Sequence, residues 1–160
     1  MKEKLLTMIE KNGKADAKEL AILLGEKEED VIKALAEMET DGIICGYHAL
    51  IDWEKTGIEK VTALIEVRVT PQRGRGFDEI AERIYNYDEV RSTYLISGGY
   101  DLMVILEGKT LREVSSFVSD KLSTIDEVLS TATHFILKKY KDHGTVLKEN
   151  KKDEREAYMP

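Results

Sequence analysis

Apolar positions in the first third of the chain recur every three or four residues, and from Val61 onward they recur every two. Leu5, Met8 and Ile9 set a helical period from Lys2 to about Asn12, and Asn12-Gly13 supplies a stop. Asp16-Ala17-Lys18-Glu19 fits a capping box, after which Leu20, Leu23 and Leu24 keep helical spacing up to Gly25. A third helix, from about Glu28 to Asp41, carries Val31, Leu35 and Met38 on one face, and Gly42 closes it. Gly25 to Lys27 alone separate the second and third helices. That pairing predicts a helix-turn-helix, with Ile43-Ile44-Cys45 and Gly46-Tyr47 forming a small strand or wing behind it.

Val61, Ala63, Ile65, Val67 and Val69 then alternate with more polar neighbours, which predicts a strand with one apolar face. A loop from Pro71 to Gly76 follows, and Phe77, Ile80, Ala81 and Ile84 mark an amphipathic helix. Strands over Glu89–Ser97 and Asp101–Glu107 flank Gly98-Gly99, the signal for a tight hairpin. Thr110 to Glu113 is a second capping box, opening a helix whose buried face reads Leu111, Val114, Val118 and Leu122. A β-branched strand runs from Val128 to about Lys139. The order βαββαβ is the ferredoxin-like split unit. The expected fold is therefore α+β: a winged helix-turn-helix over residues 1–52, a linker over 53–60, a ferredoxin-like domain over 61–147 and a charged tail over 148–160. Leu102 to Leu106 is apolar on both strand faces, and such a strand needs cover on both sides, so the second domain is expected to oligomerise.

Composition narrows the class. The 160 residues are 42% hydrophobic and 34% charged, enough to build packed cores and too ordered in pattern for disorder. No apolar run approaches the roughly 18 residues of a membrane span, and the N-terminus lacks the pattern of a signal peptide, so a soluble cytoplasmic protein is expected. The single Cys45 excludes an internal disulfide framework and a cysteine-based zinc site. The net charge is -7, and its distribution is uneven. Residues 1–52 hold 7 basic and 12 acidic side chains, whereas the tail is balanced at 4 and 4. The acid excess thus lies in the helix-turn-helix itself, and it argues against a generally basic, sequence-blind nucleic-acid coat.

This architecture resembles the Lrp/AsnC family of bacterial and archaeal transcription regulators. The likeness is carried by Asn12-Gly13-Lys14, Glu19-Leu20-Ala21, Gly25, Met38-Glu39 with Gly42-Ile43-Ile44, Gly46-Tyr47, Ser97-Gly98-Gly99-Tyr100-Asp101-Leu102 and Ser130 to Thr133. It covers residues 1–147. The resemblance implies a winged domain that binds double-stranded DNA, joined to an effector (RAM) domain that senses an amino acid or related small metabolite. It also implies homodimers that assemble further, to octamers.

In a helix-turn-helix the second helix enters the major groove. With Val31, Leu35 and Met38 facing the core, the groove-facing candidates are Lys27, Glu28, Glu29, Lys33, Ala34 and Glu37, with Lys14 and Lys18 as further phosphate contacts. The expected DNA-binding set is Lys14, Lys18, Lys27, Glu28, Glu29, Lys33 and Ala34. Carboxylates repel phosphates, and the family places basic residues where Ala34, Ala36 and Glu37 stand. Glu28, Glu29 and Asp30 also suit the positive end of a helix dipole, whatever else they do. Four lysines give modest, salt-sensitive affinity per subunit, which several subunits acting together raise.

The expected effector-binding set is Ser97, Gly98, Gly99, Tyr100, Asp101, Thr131 and Thr133. Two glycines in a turn permit positive φ and a nest of backbone N–H groups for a carboxylate. Asp101 is an acceptor for an α-ammonium group, and Tyr100 offers a ring edge and a hydroxyl. The resemblance places the effector at this segment, between dimers, with help from the last strand, where Thr131 and Thr133 share a face.

Other signals are weaker. Gly74-Arg75-Gly76 lacks the third glycine of a dinucleotide fingerprint, since Glu79 stands there, and Arg73 and Arg75 are read as loop residues. Cys45, His48 and Asp52 do not make a metal motif, His134 is placed on a sheet surface, and Lys138 to Lys141 are read as the solvated end of an edge strand. No cofactor and no catalytic set is recognised, so an enzyme is not expected. The rival reading is a metabolite-binding oligomeric protein with a weakened or vestigial DNA-binding domain.

Overall fold

A computed structural model describes residues 1–70 and 76–147. The chain divides into two units, Met1–Leu50 and Ile51–Pro160. The loop arginines Arg73 and Arg75 and the tail over 148–160 lie outside the described residues.

The first unit is three helices: α1 (Lys2–Lys11), α2 (Ala17–Leu24) and α3 (Glu28–Thr40). Asp16 caps α2 by accepting the Glu19 N–H at 2.7 Å. Gly25 ends the helix at φ 70, and Glu26 N–H closes back on the Ala21 carbonyl at 3.0 Å. Lys27 then stands at the N-cap of α3 without a side-chain cap bond. The core is Leu5, Leu20, Ala21, Val31, Ala34 and Met38. Fully burying a side chain such as Leu20 contributes about 1.5–3 kcal/mol, which sets the scale for what holds so small a unit together.

Three expectations are corrected here. Leu23 is 63% exposed, because the turn of α2 directs Leu20 and Ala21 inward instead. Ala34 is buried, and it shares the core line with Val31 and Met38, while Leu35 sits at its margin. A residue three positions after Val31 and four before Met38 lies on the same helical stripe, and its small side chain is what that tight spot accepts. The strand expected over Ile43 to Cys45 is absent, and among the described residues of this unit no β-strand forms. The Ile43 and Ile44 N–H groups both turn back to the Met38 carbonyl, at 2.9 and 3.0 Å, so the segment closes the helix and has no strand to pair with.

The second unit is a four-stranded antiparallel sheet of β1 (Val61–Val69), β2 (Val90–Leu95), β3 (Leu102–Gly108) and β4 (Val128–Phe135). Its strand order is β2-β3-β1-β4, as the βαββαβ pattern requires. Helices α4 (Gly76–Tyr85) and α5 (Leu111–Phe117) cover one face, and α5 continues into a wider π-type turn, Val118–Leu122. Ala63, Ile65, Val67, Leu102, Val104 and Leu106 from the sheet meet Ile80, Ile84, Val114, Phe117, Val118 and Leu122 from the helices. Thr110 caps α5, but Leu111 is 56% exposed, and Phe117 takes the buried position in its place.

Residues 53–60, expected as a linker, are built into this unit. Trp53–Thr56 form a 3-10 turn, Lys60 lies 4.4 Å from the Trp53 ring centroid, and its ammonium pairs with Glu107 at 2.9 Å. The last strand stops at Phe135, short of Lys139. Beyond it the chain makes a small hairpin of β5 (Lys141–Asp142) and β6 (Thr145–Val146), turning at His143 and Gly144, both with positive φ.

Candidate functional site

The helix-turn-helix presents α3 with its core line inward and the rest exposed. Lys27, Glu28, Glu29 and Lys33 are all exposed, as are Lys14 in the turn before α2 and Lys18 in the first turn of α2. None of these side chains bonds to a neighbour among the described residues, so the lysine heads are free to meet phosphates. Ala34 does not join them. The uncharged exposed positions of α3 outside the expected set are Ile32, Ala36 and Thr40. The period of α3 already placed these opposite Val31 and Met38, and attention to charged residues passed over them.

Two further acids on α3 are tied down. Glu37 accepts from Lys2 of α1 at 2.8 Å, and Glu39 accepts from the Tyr47 hydroxyl at 2.8 Å. The hydrogen bond and charge of Lys2 hold the Glu37 carboxyl below its ordinary value, and the same contact raises the Lys2 ammonium. The bond to Glu39, with some burial, raises the Tyr47 hydroxyl. Two of the acids in this region are therefore held by partners within the unit, while its net charge stays acidic.

At the other unit, the Ser97–Asp101 segment is not the tight hairpin its glycines suggest. Pairing of β2 with β3 ends at Leu95 with Leu102, and a bond from Ile96 N–H to the Asp101 carbonyl at 2.7 Å closes a longer loop. Neither Gly98 nor Gly99 has a positive φ, so the alternation of backbone hands that makes an anion nest does not form. Asp101 is fixed from three sides. Its N–H donates to the Val67 carbonyl at 3.1 Å, its carbonyl accepts from Ile96, and its Oδ2 accepts from Val69 N–H at 2.9 Å. Ser97, Gly98 and Gly99 are exposed, and Tyr100 is half-buried.

Thr131 and Thr133 pair with Val67 and Ile65, so their side chains share the helix-covered face and are half-buried. Val67 also pairs with Leu102, which puts Thr131 two strands from the Asp101 end of β3, about 10 Å at ordinary strand spacing. The structure thus brings Asp101 and Thr131 to one end of the sheet, with Thr133 a further two residues along β4.

A cleft of about 910 Å³ opens at the opposite end of the sheet, where sequence reading had found nothing. Its walls include Trp53, Ile58, Leu106, Val114 and Phe117. Much of its charge is paired internally: Glu107 accepts from Arg91 at 2.6 Å as well as from Lys60, and Glu89 accepts from Lys121 at 2.6 Å. Burial alone raises the Glu107 carboxyl, but the two cations outweigh it and hold it below its ordinary value. The Lys121 bond likewise lowers Glu89. Among the described residues no three potential metal ligands cluster, and no helix is long and apolar enough to cross a membrane.

Comparison with known proteins agrees with this architecture. The family model of the Lrp/AsnC ligand binding domain matches residues 62–146. YugG, an uncharacterized HTH-type transcriptional regulator of Bacillus subtilis (strain 168), is 48% identical over 98% of this chain and 95% of its own length. The HTH-type transcriptional regulator LrpA of Pyrococcus abyssi (strain GE5 / Orsay) is 30% identical over 86% of this chain and 94% of its own. Among solved structures, the transcriptional regulator NMB0573 from Neisseria meningitidis, a complex with L-Met, shares the fold at a TM-score of 0.72 and 24% identity, covering 93% and 95% of the two chains. The chain belongs to the Lrp/AsnC family of effector-responsive transcriptional regulators.

Proposed function

We propose that the unit Met1–Leu50 docks α3 in the major groove of operator DNA and that the second unit binds an amino acid at the Ser97–Asp101 end of its sheet. The observation that carries this reading is the joint geometry of that end: Asp101 held rigid, with one carboxylate oxygen fixed on Val69 and Thr131 on the same rim. A fixed carboxylate is a suitable partner for an α-ammonium group. With the glycine nest ruled out by the backbone, the effector carboxylate is taken by loop N–H groups from Ser97 to Tyr100 in their observed conformation, or by a second subunit. The L-Met complex of the Neisseria regulator supports an amino acid as the class of effector.

Lys14, Lys18, Lys27 and Lys33 supply the phosphate contacts, and so few contacts give modest affinity for one subunit. Assembly raises it. The sheet face opposite the helices carries Leu64, Met103, Ile105, Tyr94 and Ala132, joined by the Glu66–His134 contact at 3.3 Å. Two copies paired through this face form a homodimer, and dimers meeting at the Ser97–Asp101 end build the octamer. Effector bound there shifts the balance of assemblies and with it the half-sites spanned together.

The test is a salt-series binding assay on DNA upstream of the protein's own gene, with and without a panel of amino acids, beside sedimentation of the free protein. Binding that weakens steeply with salt and changes with one amino acid is expected. Absence of any salt-dependent shift at low ionic strength would return the protein to the rival reading, an oligomeric metabolite binder.

A further inference from the structure

The outward face of α3 differs from the one its charges suggest. At about 100° per residue, measured from the core line of Val31, Ala34 and Met38, Glu37 and Glu39 fall on opposite flanks of the helix. These two acids are engaged, Glu37 by Lys2 and Glu39 by Tyr47. Between them, furthest from the core, lie Glu29, Ile32, Lys33, Ala36 and Thr40. Glu29 and Lys33 stand one turn apart with opposite charge, so this central ridge is neutral.

The remaining three residues are spaced four apart and form one line along the helix. Ile32 is 51% exposed and takes no part in the core of its unit. Ala36 presents a bare methyl. The Thr40 hydroxyl donates to the Ala36 carbonyl at 2.8 Å, which leaves its methyl as the free part of the side chain. This line offers no free donor to a base edge, and its one acceptor is the Thr40 oxygen at its far end.

We propose that α3 selects thymines, through contact of Ile32 and Ala36 with thymine 5-methyl groups in the major groove, with Thr40 extending the same line. The proposal rests on the reading that α3 enters the groove and deepens it by naming what is read there. Thymine is the base that shows an apolar group on that side, so an apolar line tells it from the other three without hydrogen bonds. Lys27 and Lys33, beside this line, reach phosphates and carry no sequence information of their own. An acidic recognition helix then reads DNA without its acids having to act as base readers.

The experiment begins with duplexes that the protein itself enriches from a random pool. The selected sites are remade with deoxyuridine for thymidine, which removes the methyl and keeps the base pairing. Affinity is read by fluorescence anisotropy across a salt series for the native chain and for Ile32→Ala, whose fold is checked by its melting curve. The native chain should bind deoxyuridine sites about fourfold more weakly for each thymine methyl covered, with an unchanged salt slope. Ile32→Ala should bind thymidine sites more weakly and lose most of that preference. Equal affinity of the native chain for both kinds of site overturns the methyl reading and leaves DNA binding standing. A preference kept in full by Ile32→Ala overturns the assignment to Ile32. Failure to enrich any salt-sensitive duplex overturns the groove reading and this proposal together.

Discussion

The Asp101 carboxylate accepts a hydrogen bond from the Val69 N–H at 2.9 Å, at the point where β1 slips its register against β4. The slip lies between Arg68 and Val69, so the ladder cannot satisfy that N–H in the regular way. A side chain from the neighbouring strand end does so instead. The same residue joins Ile96 and Val67 through its backbone, which makes it the hinge pin of the loop proposed to hold the effector.

Asp101 therefore has a structural role separable from its proposed role in binding. Asp101→Ala strands a half-buried N–H and should cost about 1–3 kcal/mol. The melting temperature should fall by about 4 °C or more, since 1 kcal/mol moves a domain of this size by that amount. Asp101→Asn keeps an acceptor oxygen and should melt close to the native protein, yet it loses the charge proposed to face the effector's ammonium group. Calorimetry on the Asn variant should show amino-acid affinity reduced while the fold stands. An Ala variant that melts with the native protein would show that the Val69 contact stabilises nothing.

The glycines of this protein are not equal. Gly99 lacks a positive φ and a Cβ there meets no atom within 4 Å, so Gly99→Ala should change stability by less than about 0.5 kcal/mol. Gly144 sits at φ 78 and Gly25 at φ 70, where an L side chain costs about 1–2 kcal/mol. Gly144→Ala and Gly25→Ala should both lower the melting temperature, although open space surrounds each Cβ. Paired chemical denaturation curves for the three variants decide the matter, and equal midpoints would contradict the backbone account.

Much of the fold was legible because its signals are periodic. The alternation from Val61 to Val69 and the 3.6 period of Phe77, Ile80, Ala81 and Ile84 each have one consistent solution, and the structure adopts it. Where reading failed, two physical solutions fitted the same residues. Gly98-Gly99 suits either a two-residue turn or a longer loop, and the choice fell to Asp101 and its three bonds, which no local pattern records. The primed turn that does occur, at His143-Gly144, was hidden by strands of two residues each. Ala34 was misplaced because its small side chain reads as neutral in a helix, whereas position relative to Val31 and Met38 decides its side. The cleft beside Trp53 brings together segments more than 60 residues apart and leaves no local trace.

Ala34 yields a direct check on which face of α3 meets DNA. The side chain is buried between helices, so Ala34→Lys forces a charge and four methylenes into a packed core, with an expected loss of at least about 3 kcal/mol. Ala36→Lys, two residues on and exposed, should fold normally and displace the methyl contact proposed for Ala36, weakening binding to thymidine sites. Far-UV melting curves of the two variants should differ widely. A stable Ala34→Lys protein would reverse the assignment of faces and with it the thymine reading.

Glu107 gives the second unit a predictable response to acid. Lys60 and Arg91 hold its carboxyl below the ordinary range despite burial, so its folded pKa lies below that of the unfolded chain, about 4.3 for a free glutamate. A group shifted in this direction stabilises the fold above the unfolded pKa, and the contribution disappears as pH falls through the lower folded value. Solvent reaches both cations, Arg91 at 59% of its side chain and Lys60 at 22%, so the screened contribution is about 1 kcal/mol. Glu107→Gln should accordingly melt about 4 °C below the native protein at pH 7. The gap should narrow once the pH drops below the carboxylate range, because the native chain then loses what the variant never had. It should also shrink in high salt at pH 7, where the exposed Arg91 above all is screened. A gap that stays constant from pH 7 to pH 3 would assign the effect to packing beside Leu106 and Gly108 and not to charge.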